Sequence, residues 1–163
     1  MERVSKTNYY LDIAQTVAER GTCLRRCFGA IIVKNDSIIS TGYNGAPRGR
    51  KNCSDLGFCR REQLNIPRGE RYELCRSVHA EANAIIAASR ENMIGSTLYM
   101  ACIDPKDKSI CGGVTSCAMC KRQVINAGIE QVIVRETKDG KYSVYNVKDW
   151  VENDDSLSDT FGY

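Results

Sequence analysis

The sequence predicts an α/β protein in which strands and helices pack in layers. Short β-branched apolar segments alternate with stretches of helix-forming residues, in the order hairpin, helix, strand, helix, strand. The 163 residues suffice for one hydrophobic core, and neither an internal repeat nor a low-complexity segment divides them. We therefore expect a single domain over residues 1–163, with an insertion at about 43–75 and a flexible tail at 154–163.

The first part of the chain predicts a helix followed by a β-hairpin. Thr7 or Asn8 fits the N-cap of a helix that runs to about Glu19, since apolar residues recur behind it at helical spacing. Residues 28–42 contain two β-branched segments separated by the turn sequence Asn35-Asp36-Ser37. This hairpin is expected to supply two core strands.

The second half predicts helices and strands in alternation. Helix-forming residues follow His79, and Ile85 and Ile86 are placed to face the core. Gly128 fits the C-cap of a helix that begins at Cys117. The expected strands cover residues 96–102, 129–136 and 142–147, and a short helix is expected from Asp149.

The segment 43–75 lacks the periodicity of a helix or a strand. It carries glycines, prolines, charges and three cysteines, Cys53, Cys59 and Cys75. A loop of this length is unusual in a compact domain unless it has a function. We expect a metal or a ligand to hold it in place.

Composition restricts the class of protein. No apolar run approaches the roughly 20 residues of a membrane-spanning helix, and the N-terminal residues do not resemble an export signal, so a cytoplasmic protein is expected. Nine cysteines in such a protein favour reduced thiols and metal ligands over disulfides. A net charge of +3 with 7% aromatic residues does not favour a nucleic-acid partner.

Two short motifs carry the chemistry. The only histidine, His79, stands two residues before Glu81, and Cys117 and Cys120 form a CxxC pair. Three protein ligands, His79 and the two thiolates, would leave a fourth position for water, which is the arrangement of a catalytic zinc site. Glu81 is not needed as a ligand and is placed to act as a general acid and base.

Each motif alone has a simpler interpretation. A single histidine is often a packed or surface residue, and a CxxC pair also occurs in redox sites and in structural zinc sites. Here both motifs stand at the start of a predicted helix, and one strand separates the two helices. This arrangement favours one metal shared by two helix ends.

The two motifs, HAE at 79–81 and CAMC at 117–120, resemble those of the cytidine deaminase superfamily. The segments GAIIVKNDSIISTGYNGAPRG, ERYELCRSVHAEANAI and INAGIEQVIV are similar to its deoxycytidylate (dCMP) deaminase branch, over about residues 21–135. The resemblance implies a three-layer α/β/α fold with a mixed five-stranded sheet and helices on both faces. One departure is Ser116, where the family has proline before the first cysteine.

The resemblance also implies a reaction and a set of site residues. Zn²⁺ bound to His79, Cys117 and Cys120 would activate water for attack on the cytosine ring of dCMP, with Glu81 moving the protons and dUMP and ammonia as products. By the same resemblance, Asn44 would hold the sugar and the Ala80 backbone would contact the base edge. Arg26 is a candidate for the 5′-phosphate, which a guanidinium can bind with two hydrogen bonds.

Further properties follow from the dCMP deaminase resemblance alone. A second, structural zinc would lie near the insertion, with Cys23, Cys53, Cys75 and Cys59 as ligands. The insertion also resembles the part of regulated relatives that binds dCTP or dTTP, with Mg²⁺ accompanying the nucleotide. Such relatives are homo-oligomers, so we expect a homo-oligomer here.

Other functions stay open from the sequence. The substrate could be another cytosine nucleotide, a free nucleoside, a guanine or pterin-like ring, or a base in a nucleic acid. From a different class, the chain could be a zinc-stabilised interaction module without turnover. Such a module would not need Glu81, and a free nucleoside would not need Arg26.

Overall fold

The protein is built on a five-stranded mixed sheet. The computed structural model describes residues 1–154, and the expected flexible tail lies, apart from Asp154, outside them. The strands are β1 (Cys27–Lys34), β2 (Ser37–Tyr43), β3 (Thr97–Ile103), β4 (Gln131–Arg135) and β5 (Tyr142–Asn146). They lie in the order β2-β1-β3-β4-β5, and only β3 and β4 are parallel. The predicted mixed five-stranded sheet is confirmed.

One face of the sheet is covered by helix α1 (Lys6–Ala18). Its buried Leu11 and Ala14 pack with Ile31 of β1 and Tyr99 of β3. The prediction that Thr7 or Asn8 caps this helix is wrong. Ser5 is the N-cap, because its hydroxyl accepts a hydrogen bond from the Asn8 backbone N–H at 3.2 Å.

The hairpin of β1 and β2 forms where the sequence predicts it. Asn35 and Asp36 make the two-residue turn, with φ values of 49° and 60°. Positive φ at both positions is the conformation of a type I′ turn, which matches the twist of the two strands and favours such polar residues. β1 is buried between β2 and β3, whereas β2 is the exposed edge of the sheet.

Helices on the opposite face complete the three layers. They are α4 (Ala80–Ile86), α5 (Arg90–Met93), α6 (Ala118–Ala127) and α7 (Val147–Asn153). Ala84, Val124 and Trp150 pack there in one core with strand residues. Ile86 was predicted to face this core, but it is 75% exposed because α4 turns that residue outward, while Ile85 packs at the core margin. α5 was not predicted, since four residues are too short for a periodic signal.

The last helix also starts earlier than predicted. Asn146 is its N-cap, so that α7 begins at Val147 rather than Asp149. Val147 is buried and its backbone N–H donates to the carbonyl of Glu130, which links the helix start to the sheet. None of the helices within residues 1–154 is long and apolar enough to cross a membrane.

The insertion contains short helical segments rather than irregular chain alone. These are α2 (Cys53–Leu56), α3 (Arg60–Gln63) and a 3-10 turn (Tyr72–Leu74). Its two ends are joined, because Gly45 and Val78 exchange backbone hydrogen bonds of 3.2 and 2.7 Å. This bridge places the chain at the start of α4, directly before His79.

The register of the sheet places the first candidate site residues at one end of the strands. β1 begins where β3 ends, since Cys27 pairs with Ile103. β2 runs antiparallel to β1, so the C-terminal end of β2 lies beside the start of β1. Arg26 and Asn44, the residues that flank these strands, therefore lie next to the loop that leads from β3 to α6.

Close contact between β2 and α4 gives a test of this packing. A Cβ on Gly42 would lie 2.4 Å from both the Ala80 carbonyl oxygen and the Ala84 backbone nitrogen. We expect Gly42→Ala to force α4 away from the sheet and to lower the free energy of unfolding by about 1–3 kcal/mol. Urea denaturation of the variant and of the unmodified protein measures the change in the free energy of unfolding. Thr41→Ala, at an exposed position of the same strand, is the control, and equal stability of the two variants would contradict the packing argument.

Candidate metal and active site

Two helix starts bring three ligand atoms together. His79 is the N-cap of α4 and Cys117 is the N-cap of α6, with Cys120 in the first turn of α6. The Nδ1 atom of His79 lies 3.4 Å from the Sγ atoms of both cysteines. The three ligand atoms lie within 4.8 Å of one another, and among residues 1–154 no fourth His, Cys, Asp or Glu joins them.

The spacing of these atoms fits zinc. Zn–N distances of ~2.0 Å and Zn–S distances of ~2.3 Å in a tetrahedron separate N from S by about 3.5 Å. The observed 3.4 Å is close to this separation. One nitrogen and two sulfurs are also the donor types that zinc prefers, and three protein ligands leave one position of the tetrahedron open.

Electrostatics favour a thiolate at this site even without a metal. The hydrogen bond with Cys120 holds the pKa of Cys117 well below its ordinary value and raises the pKa of Cys120. Burial acts to lower the pKa of His79, but hydrogen bonds with Cys117 and Cys75 raise it to about 10. A metal replaces the protons that the three ligands otherwise share.

Glu81 lies beside the ligands in the first turn of α4. It is only 4% exposed, and this burial raises the pKa of its carboxyl, while neighbouring His79 acts to lower it. A carboxyl whose pKa is moved towards neutrality can both accept and donate a proton. The position of Glu81 is therefore suited to proton transfer rather than to a surface ion pair.

Ser116 occupies the family's proline position without disturbing the ligands. The residue is 2% exposed and directly precedes the N-cap Cys117. Its buried hydroxyl forms no hydrogen bond within residues 1–154, but it lies near the Glu81 carboxyl and acts weakly to lower the pKa of that group. Ser116 thus gives Glu81 a polar neighbour, and Cys117 is still the N-cap of α6, whose first helical residue is Ala118.

A cavity of about 540 Å³ opens at the ligands. His79, Glu81 and Cys117 line it together with Ala80, whose predicted backbone contact with a base stays a prediction. Five cationic side chains line the same cavity: Arg25, Arg26, Arg61, Arg68 and Lys106. The cavity therefore combines a candidate metal centre with positive charge.

Arg26 and Asn44 both reach this cavity, but the carboxamide of Asn44 is already engaged. Asn44 donates from Nδ2 to the Arg26 carbonyl at 2.9 Å and accepts at Oδ1 from the Phe28 backbone N–H at 2.8 Å. Asn44 therefore fixes the backbone that carries Arg26. Its predicted contact with a sugar stays a prediction, since a carboxamide keeps one further donor and one further lone pair.

The four cysteines expected to hold a second metal come into one region. Cys53 is buried and interacts electrostatically with Cys23, Cys59 and Cys75. Within the described chain, however, only the His79 group has three ligand atoms within 4.8 Å of one another. Cys75 also interacts with the imidazole of His79. The second metal site stays a prediction.

Four of the five cavity cations, Arg25, Arg61, Arg68 and Lys106, are not predicted by the sequence. Arg25 forms an ion pair of 3.1 Å with Glu62 of the insertion, so its charge is partly neutralised. Arg61 is 6% exposed and stacks on the ring of Tyr72. Nothing in the local sequence distinguishes these side chains from ordinary surface residues, because their neighbours come from distant parts of the chain.

A histidine, two thiolates and a buried carboxylate beside an open coordination position define a zinc site that activates water. Comparison with known proteins shows which family of zinc proteins has this site. A sequence model of the cytidine and deoxycytidylate deaminase zinc-binding region matches residues 4–136. The chain belongs to this family.

Individual relatives agree with this assignment. The chain is 36% identical over 137 residues to the deoxycytidylate deaminase of Mycobacterium phage D29, covering 82% of this chain and 96% of the phage protein. It is 31% identical over 131 residues to the deoxycytidylate deaminase of Schizosaccharomyces pombe, covering 80% of this chain but only 37% of the yeast protein.

A solved structure shows the same fold. The dCMP deaminase from the cyanophage S-TIM5, in complex with dCMP and dUMP, aligns with a TM-score of 0.57 at 25% identity. The alignment covers 85% of this chain and 87% of the cyanophage chain.

Loss of one ligand tests the metal centre. We expect Cys120→Ser to release one equivalent of zinc per chain, because a neutral hydroxyl is a poor replacement for a thiolate. Metal analysis of the purified variant measures the loss. Cys111→Ser removes a half-exposed thiol outside the ligand group and is the control. Equal zinc content in both variants would show that Cys120 is not a ligand.

Proposed function

We propose that this protein catalyses the hydrolytic deamination of dCMP to dUMP and ammonia. The observation that carries the proposal is the buried Glu81 beside the His79, Cys117 and Cys120 group, inside a cavity lined by cations. The cyanophage relative with the same fold was crystallised with dCMP and dUMP, a pair that differs by this reaction.

The chain's own residues account for the proton transfers of this reaction. Zinc in such a site supplies a hydroxide nucleophile at neutral pH, by lowering the pKa of water from ~15.7 to ~7. Glu81 accepts the proton that water loses and delivers it to N3 as hydroxide adds to C4. Glu81 then takes the proton of the new C4 hydroxyl and gives it to the amino group, so that the C–N bond breaks, ammonia leaves and C4 becomes the carbonyl carbon of dUMP. Burial keeps bulk water from competing for that proton.

Substitution of Glu81 tests this role. Glu81→Gln keeps the size and the hydrogen-bonding capacity of the side chain but cannot carry a proton. We expect a loss of turnover of at least ~10²-fold, with zinc content unchanged. Deamination of dCMP, followed by ultraviolet absorbance, and metal analysis measure the two quantities. Near-normal turnover would remove Glu81 from the mechanism.

Arg26 is proposed to bind the 5′-phosphate of the substrate. Its guanidinium lines the cavity and, within residues 1–154, it forms no ion pair with a carboxylate. Arg25 lines the same cavity but is paired with Glu62. Of the two neighbouring arginines, Arg26 therefore has the charge available for a phosphate.

Comparison of a nucleotide with its nucleoside tests Arg26. We expect Arg26→Met to lower kcat/KM for dCMP by about 10- to 100-fold, since a charged hydrogen bond contributes ~1.5–3 kcal/mol, and to leave the low activity on deoxycytidine unchanged. Arg25→Met is the matched control and should retain most of its preference for dCMP. An equal loss on both substrates would assign Arg26 a structural role instead.

A second, structural zinc held by Cys23, Cys53, Cys59 and Cys75 is part of the proposal. The electrostatic interaction of buried Cys53 with the other three thiols supports it, since four thiolates are a donor set of closed structural zinc sites. Two zinc ions per chain, falling to one in Cys53→Ser, is the expected result. One zinc ion in the unmodified protein would remove the proposal.

Regulation and assembly are proposed from the family alone. They comprise activation by dCTP, inhibition by dTTP with Mg²⁺ accompanying the nucleotide, and a homo-oligomer in the cytoplasm. We also propose that residues 1–163 form one domain. Titration of dCTP and dTTP into the deamination assay, together with the mass in solution, tests these points.

A substrate panel separates the proposed function from its alternatives. The panel contains dCMP, CMP, deoxycytidine, dCTP, and a cytosine-containing single strand, each with and without dCTP as activator. We expect dCMP to have the highest kcat/KM. Activity on the strand alone would contradict the nucleotide assignment, and zinc binding without any turnover would favour a zinc-stabilised interaction module. The burial of Glu81 in the cavity argues against the module, which has no use for a desolvated carboxyl.

A further inference from the structure

A stack of three side chains connects the insertion to the metal ligand. The rings of Tyr72 and His79 meet edge to face, with centroids 5.2 Å apart and an interplanar angle of 86°. The guanidinium carbon of Arg61 lies 4.3 Å from the centroid of the Tyr72 ring. Tyr72 is thus in contact with the imidazole and with a cation of α3.

The position of Arg61 is determined by its surroundings. Its Nη2 atom donates to the carbonyl oxygens of Pro67 and Glu70, at 3.1 and 2.7 Å. Its Nε atom is buried and has no hydrogen-bond partner among the described residues. A buried donor without a partner costs free energy, so hydrogen bonding alone does not explain this placement, whereas the face of the Tyr72 ring attracts a desolvated cation.

The metal ligand needs such support. The Nδ1 atom of His79 must point at the position between the two thiols, which requires one orientation of the ring about its χ angles. The side chain of His79 makes no hydrogen bond to the start of α4, so the helix fixes its backbone, and the ring is held by its neighbours, the thiol of Cys75 and the ring of Tyr72. Neighbours of a ligand that fix its orientation commonly change metal affinity or activity by about 10- to 100-fold when they are removed.

We propose that Tyr72 is a positioning residue for the metal-binding imidazole of His79 and that Arg61 braces it. The insertion is then part of the metal centre, because its fold determines where the ring of a ligand points. The proposal rests on the zinc site of the proposed function, but not on the identity of the substrate.

Cobalt substitution tests the proposal without turnover. Co²⁺ in place of zinc gives visible absorption bands that report the geometry of the ligands. We expect Tyr72→Leu to change the intensity and position of these bands and to weaken Co²⁺ and Zn²⁺ binding about tenfold, measured by competition with a chelator. Tyr72→Phe retains the aromatic edge and should restore the spectrum and most of the affinity.

Two controls isolate the effect of the stack. Tyr9→Leu removes a half-exposed tyrosine from α1, far from the ligands, and should leave the cobalt spectrum unchanged. Arg61→Lys keeps the charge but loses the planar guanidinium, so we expect a two- to fivefold weaker metal affinity, whereas Arg60→Lys at an exposed neighbouring position should have no effect. If Tyr72→Leu does not fold, the Arg61 pair carries the test.

The outcomes are distinguishable. An unchanged spectrum and affinity in Tyr72→Leu would overturn the proposal, as would equal defects in Tyr72→Phe and Tyr72→Leu, which would assign the effect to the hydroxyl. Failure of the unmodified protein to deaminate dCMP would contradict the proposed function but would leave the cobalt measurement valid. With dCMP as substrate, a fall of kcat in parallel with metal affinity is the expected result.

Discussion

Two helices begin close together at the C-terminal end of β3, and this convergence brings the candidate metal ligands into contact. α4 precedes β3 and α6 follows it, and both begin at the end of β3 where the loop 104–116 turns back. The thiols of α6 and the imidazole at the cap of α4 therefore occupy one small volume, with the donor atoms 3.4 Å apart. Both helices pack on the same face of the sheet. Without this packing, the segment that connects α4 to α6 would not fold back, and the three ligand atoms would be far apart.

The surroundings of this meeting point are assembled from parts of the chain that are distant in sequence. The antiparallel pairing of β1 with β2 and β3 places Arg26 and Asn44 at the same end of the strands. Asn44 then uses both ends of its carboxamide on the Arg26 and Phe28 backbone, so it holds the strand start that presents the arginine. The bridge between Gly45 and Val78 closes the insertion at its base and sets the entry into α4.

Burial gives the site its chemical character. Glu81 is enclosed at 4% exposure and Cys120 at 1%, so their charged forms must be stabilised by neighbours rather than by water. Burial of the charged ligand side chains costs free energy. A divalent ion that replaces their protons offsets this cost. The insertion adds Arg61 and Tyr72, which contact each other and the ring of His79 and so join the insertion to the candidate metal centre.

The elements whose signal is local could be predicted from the residues alone, because residue type and spacing encode them directly. They are the hairpin with its Asn35-Asp36 turn, the helix closed by Gly128, and the grouping of His79, Cys117 and Cys120. Short or context-dependent features were wrong or absent from the prediction, among them the cap at Ser5, the helix α5 and the exposure of Ile86. The cations that face the cavity and the contact of Tyr72 with His79 became known from the folded chain. These contacts join residues that come together only because the insertion folds back onto the site. The spacing of residue types along the chain does not indicate how the insertion folds.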